Sequence, residues 1–193
     1  MEIRLIEKDE LPKILKFEKE YTKNDESLKE ISNRFTKYPN LFIGCYENNE
    51  LIGEVSGFVR GNIVILKSIA VKDERQKQGI GSKLIKFFER QAKKYCNIVS
   101  VASAEGYVES FYRKNGYKPR LIMIQIEKDD LPMDYKKRNY RFIDERDEGN
   151  TKFLYIKYEK HGPKFKEKLK KEFNAFEVNL IFEKKVSTDV RRL

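Results

Sequence analysis

Few features of this sequence offer metal, disulfide or membrane chemistry. The chain holds one histidine and two cysteines in 193 residues. Cys45 falls in an expected strand and Cys96 at an expected helix end, with no second cysteine or histidine at ligand spacing. Both therefore read as buried free thiols, and no metal site is expected. His161 reads as a surface residue. No apolar run reaches eighteen residues, and Met1-Glu2-Ile3-Arg4 puts charge where a signal peptide needs an apolar stretch. The expectation is a soluble, cytoplasmic protein without a membrane partner. Internal repeats, low-complexity tracts and obvious flexible linkers are absent. A Gly-Lys-Ser/Thr ending is also missing, which excludes a nucleoside-triphosphatase loop.

Charge, by contrast, is abundant. Lys and Arg total 41 against 31 Asp and Glu, a net charge of +10, and charged residues make up 37% of the chain. The two signs are interspersed nearly everywhere, as on a heavily solvated surface, so nucleic acid is disfavoured as a partner. The basic run Lys164, Lys166, Lys168, Lys170 and Lys171 alternates with Phe165, Leu169 and Phe173, which makes it the wet face of an amphipathic helix. The length suffices for one sizeable core, or for one domain with a small appendage.

The most informative stretch runs from Ile63 to Ser82. Ile63 to Val71 is rich in β-branched residues, as a buried strand should be. From Lys83 to Cys96, apolar residues recur at Leu84, Phe87, Phe88 and Ala92 with a helical period. Between them lies Gln76-Lys77-Gln78-Gly79-Ile80-Gly81-Ser82, a glycine-bearing turn that opens a helix. Free N–H groups at a helix start favour an anion, and Gly79 and Gly81 let a pyrophosphate approach without a Cβ in the way. An anionic cofactor is implied.

Gln-x-x-Gly-x-Gly after a strand ending Ile-Ala-Val resembles the acetyl-CoA signature of the GNAT superfamily of N-acetyltransferases. A second stretch, Phe111-Tyr112-Arg113-Lys114-Asn115-Gly116-Tyr117, is similar to that superfamily's later aromatic motif. The expected element order through Glu127 is β-α-α-β-β-β-α-β-α-β. It includes a capping box at Ser27, a turn at Asn48-Asn49 and a three-strand meander. This order resembles the whole GNAT core. The implied fold class is α/β (α+β): a mixed, mostly antiparallel central sheet flanked by helices, with an extra C-terminal β-β-α-β segment. Residues 1–127 form the acetyl-CoA-binding core in this reading. Residues 128–175 are either an insertion or the start of a small C-terminal lobe, and residues 176–193 hold the last strand and tail.

The resemblance implies acetyl-CoA as cofactor and transfer of its acetyl group to an amine acceptor, protein or small molecule. The backbone of Ile69, Ala70 and Val71 would pair with the pantetheine arm, with the Val71 amide as oxyanion donor. Gln76, Lys77, Gln78, Gly79, Ile80, Gly81 and Ser82 would hold the pyrophosphate. Tyr112 matches the tyrosine that protonates the coenzyme A sulfur in many members; the plainer alternative is a core aromatic. Glu105 stands where the family usually has Asn, and a carboxylate cannot donate as an amide does. The general base is open, because the family's usual positions hold Ile65 and Ser100. Glu54 and Glu105 are the substitutes to test, though each reads more simply as a solvated carboxylate. Deprotonation through water would serve as well. A non-catalytic coenzyme A sensor or interaction module is the competing function, and a homodimer is compatible with either.

Overall fold

The computed structural model describes residues 1–22, 25–103, 106–160 and 164–186. The chain divides into two compact units, Met1–Ser100 with Lys185–Leu193, and Val101–Lys184.

In the first unit the chain runs β1 (Glu2–Leu5), α1 (Leu11–Tyr21), α2 (Leu28–Lys37), β2 (Phe42–Glu47), β3 (Glu50–Arg60), β4 (Ile63–Val71), α3 (Ile80–Ala92) and the start of β5 (Ile98–Ser103). Pro12 sits in the first turn of α1, where its missing N–H costs nothing. The capping box at Ser27 forms as expected: its hydroxyl accepts from the Glu30 N–H, and the Glu30 carboxylate accepts from the Ser27 N–H at 2.8 Å. The strands lie in the order β1-β2-β3-β4-β5, antiparallel except for the last pair. Asn48 and Asn49 both adopt positive φ and close the β2–β3 hairpin.

Alternate residues of β3 face opposite layers. Buried Leu11, Ile14, Phe17 and Ile31 of α1 and α2 pack with Phe42, Leu51 and Ala70 on one side. On the other side the backbone at Gly57 lies against α3. A Cβ there would meet the Ile65 carbonyl oxygen at 2.4 Å and the Phe88 ring at 2.6 Å. We expect Gly57→Ala to destabilise by about 1–3 kcal/mol, the usual cost of overpacking, as measured by denaturant unfolding.

The second unit continues from β5 through α4 (Gly106–Lys114), β6 (Lys118–Glu127), β7 (Phe142–Glu148), β8 (Thr151–Lys157), α5 (Phe165–Phe173) and β9 (Glu177–Lys185). Its strand order is β9-β6-β8-β7, antiparallel throughout. The expected mostly antiparallel arrangement is present, as is the C-terminal β-β-α-β segment. Central β6 is paired on both edges, and its Ile122, Ile124 and Ile126 are fully buried. Leu169 and Phe173 on α5 are also fully buried, whereas Lys168, Lys170 and Lys171 are not. The basic run is therefore the solvated face of a packed helix. Among the described residues no helix is long and apolar enough to cross a membrane.

Candidate functional site

The turn between β4 and α3 is built to leave donors free. Gly79 is the residue before α3 and adopts φ +79°, while Lys77 adopts φ +59°. The left-handed bend at Gly79 directs the chain into the helix, and no side chain caps the first turn. A Cβ built on Gly79 meets nothing within 4 Å, so the space in front of the turn is open. Gln76 to Gly79 are exposed. The Gln76 side-chain amide donates to the Val71 carbonyl at 3.2 Å and to Asp73 Oδ1 at 2.8 Å, and Gln78 donates to the Glu74 carbonyl. These two glutamines thus brace the turn against its own backbone. Uncapped N–H groups, a positive dipole end and room for a bulky anion are what a pyrophosphate requires.

The strand leading into this turn has an open edge. Among the described residues β4 pairs with β5 at Val64↔Val99 and Ile65↔Ser100 and no further along. The Lys72 N–H donates across to Ile52 of β3. Alternation along the strand then turns the Val71 and Ile69 main-chain groups the other way, toward the edge that β5 leaves unpaired, while Ala70 lies opposite Glu54. A β-bulge at Lys67 precedes this stretch, since Ser56 pairs with Ser68 but Gly57 pairs with Leu66.

Tyr112 lies on α4 in the second unit. It is buried, with ring neighbours Phe111, Tyr117 and Phe182 at 5.4, 5.8 and 5.9 Å. The aromatic motif has a structural explanation of its own. The Asn115 side chain donates to the Phe111 carbonyl, Gly116 takes φ +86° to end the helix, and Tyr117 returns its N–H to the Tyr112 carbonyl at 3.0 Å. Lys166 of α5 forms an ion pair with Glu109 of α4. Glu105 and His161 lie outside the described residues.

Glu54 is not a solvated carboxylate. It is 0% exposed, as is Glu18 of α1. Ser68 Oγ donates to Glu54 Oε1 at 2.6 Å, and Ser56 Oγ donates to Glu18 Oε1 at 2.7 Å. Burial pushes the Glu54 carboxyl well above the usual carboxylate range, with the Glu18 charge adding to the effect; Ser68 and Arg34 oppose it. Sequence reading had missed Glu18, Ser56 and Ser68. A signal existed in Glu18, which stands seven residues after Leu11 on the apolar stripe of α1, where a charge must find a buried partner.

Residues 39–119 match the family model of the acetyltransferase (GNAT) domain. No curated protein matches the chain. Among solved structures, the ribosomal-protein-S18-alanine N-acetyltransferase from Escherichia coli is similar at TM-score 0.61 and 15% identity, covering 100% of this chain and 97% of that one. Ard1 from Thermoplasma volcanium is similar at TM-score 0.55 and 16% identity, covering 82% and 98%. The PaiA N-acetyltransferase from Thermoplasma acidophilum, solved with coenzyme A, has TM-score 0.52 and 19% identity, covering 81% and 98%. At these identities the likeness is one of fold.

Proposed function

We propose that this chain, whose residues 39–119 match the acetyltransferase (GNAT) domain model, moves an acetyl group from acetyl-CoA to a primary amine. The observation that carries the reading is the continuity of the unpaired edge at Ile69 and Val71 with the uncapped start of α3. One segment thereby offers strand-like main-chain partners and then an anion cradle, the two things an extended amide arm ending in a pyrophosphate needs. The N–H groups between Lys77 and Ser82 hold the pyrophosphate, and Ile69 and Val71 receive the arm, with Ala70 between them. Gln76 and Gln78 keep the turn in shape.

Acetyl-CoA supplies an acyl group already activated as a thioester. The protein's share is to hold that group still, to offer the Val71 N–H where negative charge develops on the carbonyl oxygen, and to manage two protons. Tyr112 gives one to the departing sulfur. The other must leave the amine. Glu54 is wholly buried and Glu105 lies outside the described residues, so these two and solvent are the acceptors to test. The first amines to try are protein N-termini, because the E. coli structure similar in fold is named for the alanine of a ribosomal protein.

The full burial of Glu54 favours a second reading, a coenzyme A sensor without turnover. Thiol release from acetyl-CoA over a panel of peptides and small amines separates the two: release with any acceptor supports the enzyme, while binding without release supports the sensor. Within the enzyme reading, Tyr112→Phe is expected to lower turnover by roughly ten- to a thousandfold, with little change in KM for acetyl-CoA, because solvent replaces the donor only in part. Steady-state kinetics on the folded variant decides it. Parental turnover would return Tyr112 to the packing role that its ring contacts already explain.

A further inference from the structure

Where β4 bulges, side chains from α1, α2 and the segment between them converge on β3 and β4. Ser56 of β3 pairs with Ser68 and Gly57 with Leu66, so Lys67 is the extra residue. The Ser56 hydroxyl donates to Glu18 of α1 at 2.7 Å. Beside it, Arg34 of α2 gives Nη1 to the Gly57 carbonyl at 3.4 Å. The other two guanidinium nitrogens grip Glu26, Nε to Oε1 at 3.1 Å and Nη2 to Oε2 at 2.6 Å. Glu26 Oε2 in turn lies 3.6 Å from the Lys67 ammonium. Arg34 is 9% exposed, and its guanidinium carbon stands 4.6 Å over the Phe42 ring.

Buried ion pairs contribute little net stability, and fixing a register is the best-attested use of them. Here a register needs fixing. Beyond the bulge β4 reads Ile69, Ala70, Val71, apolar on both faces, so the hydrophobic pattern alone fits more than one pairing with β3. Without the extra residue, every main-chain group from Ser68 onward would move one place along β3. Ala70, in place of Ile69 and Val71, would then turn its N–H and carbonyl to the open edge. The position of the bulge thus decides which residues that edge offers.

We infer that Arg34 and Glu26 are positioning residues for the cofactor's arm: by tying Gly57 of β3 to Lys67 of β4, they hold the bulge where Ile69 and Val71 face the open edge. This rests on the acetyltransferase reading for the identity of the arm. Neither side chain touches a reacting atom; both act through the strand. The task suits arginine, whose planar fork makes two parallel bonds to a carboxylate and keeps a further donor for the carbonyl. Lysine is a point charge and has no such fork.

The test uses the full chain and two probes: coenzyme A, and its phosphorylated ADP fragment, which keeps the pyrophosphate and lacks the arm. The fragment reports on the turn before α3, and the difference between the probes reports on the edge of β4. Glu26→Gln keeps the shape of the side chain and removes the charge that faces both cations, whereas Arg34→Lys keeps a charge and loses the fork. By calorimetry each variant should bind the fragment within about twofold of parental. Coenzyme A should bind about three- to tenfold more weakly, the loss of one main-chain hydrogen bond to the arm.

A thermal melt verifies that each variant is folded, and Glu26→Gln decides alone where Arg34→Lys does not fold. A purely structural role would lower the melting temperature without separating the two probes. A folded variant that loses both probes equally, or that keeps parental affinity for both, would therefore overturn the positioning role. A parent that binds the fragment as tightly as coenzyme A gains nothing from the arm; that result would overturn the role too, while leaving the cradle in place. A parent that binds neither probe would overturn the acetyltransferase reading and the positioning role with it.

Discussion

Gly81→Glu is expected to abolish binding of coenzyme A and acetyl-CoA while leaving the fold intact. Gly81 is the second residue of α3 and only partly buried, so a longer side chain has solvent to occupy when the cradle is empty. A carboxylate in the first turn also favours the helix itself, by about 0.3–1 kcal/mol, because it meets the positive end of the dipole. Toward a pyrophosphate the same group is doubly unfavourable. It fills the approach that glycine leaves open, and it repels each phosphate charge by about 1 to 4 kcal/mol at 4 Å, depending on how much water intervenes. Two such charges together weaken binding by at least about thirtyfold. Calorimetry on parent and variant measures the loss, and a thermal melt verifies that the variant is folded. Equal affinities would remove the cradle from this turn.

A chain cut after Glu127 is expected to be unfolded or insoluble. The cut strips β6 of both neighbours, β8 and β9, in one step. Ile122, Ile124 and Ile126 lose their cover, and Leu154, Ile156, Leu169, Phe173, Val178 and Phe182, all nearly inaccessible in the intact protein, are removed outright. Each such side chain contributes about 1.5–3 kcal/mol by burial. The total exceeds the roughly 5–15 kcal/mol that separates a folded domain from its unfolded chain. The first unit also loses the bond from the Val186 N–H to the Asn97 carbonyl. Circular dichroism and coenzyme A titration of residues 1–127 give the answer. A cooperative, binding-competent fragment would make residues 128–193 an appended lobe; an unfolded one supports reading residues 128–175 as an insertion ahead of a last core strand.

The features legible in the sequence were those whose cause is local. Ser27 and Glu30 cap α2 because they stand three residues apart. Asn48-Asn49 turns because asparagine tolerates positive φ. The phosphate turn belongs to this class too, since its shape follows from Gly79 and the helix that begins immediately after it. Gln76 is an intermediate case. Its place in the motif was visible, but not that its side chain is spent on Val71 and Asp73.

What only the tertiary structure decided is the state of the acidic groups. In the sequence, Glu54 is one carboxylate among 31 acidic side chains of a highly charged chain, and a solvated surface is where most of them belong. Its burial depends on α1 lying over β3, on Glu18 arriving from that helix, and on Arg34 being occupied by Glu26. A sequence determines its helix periods, caps and turns because those energies are settled among neighbours a few residues apart. The charge a buried carboxyl can hold is settled by whatever packs around it, and here those groups come from α1, α2, β3 and β4, brought together only by the fold.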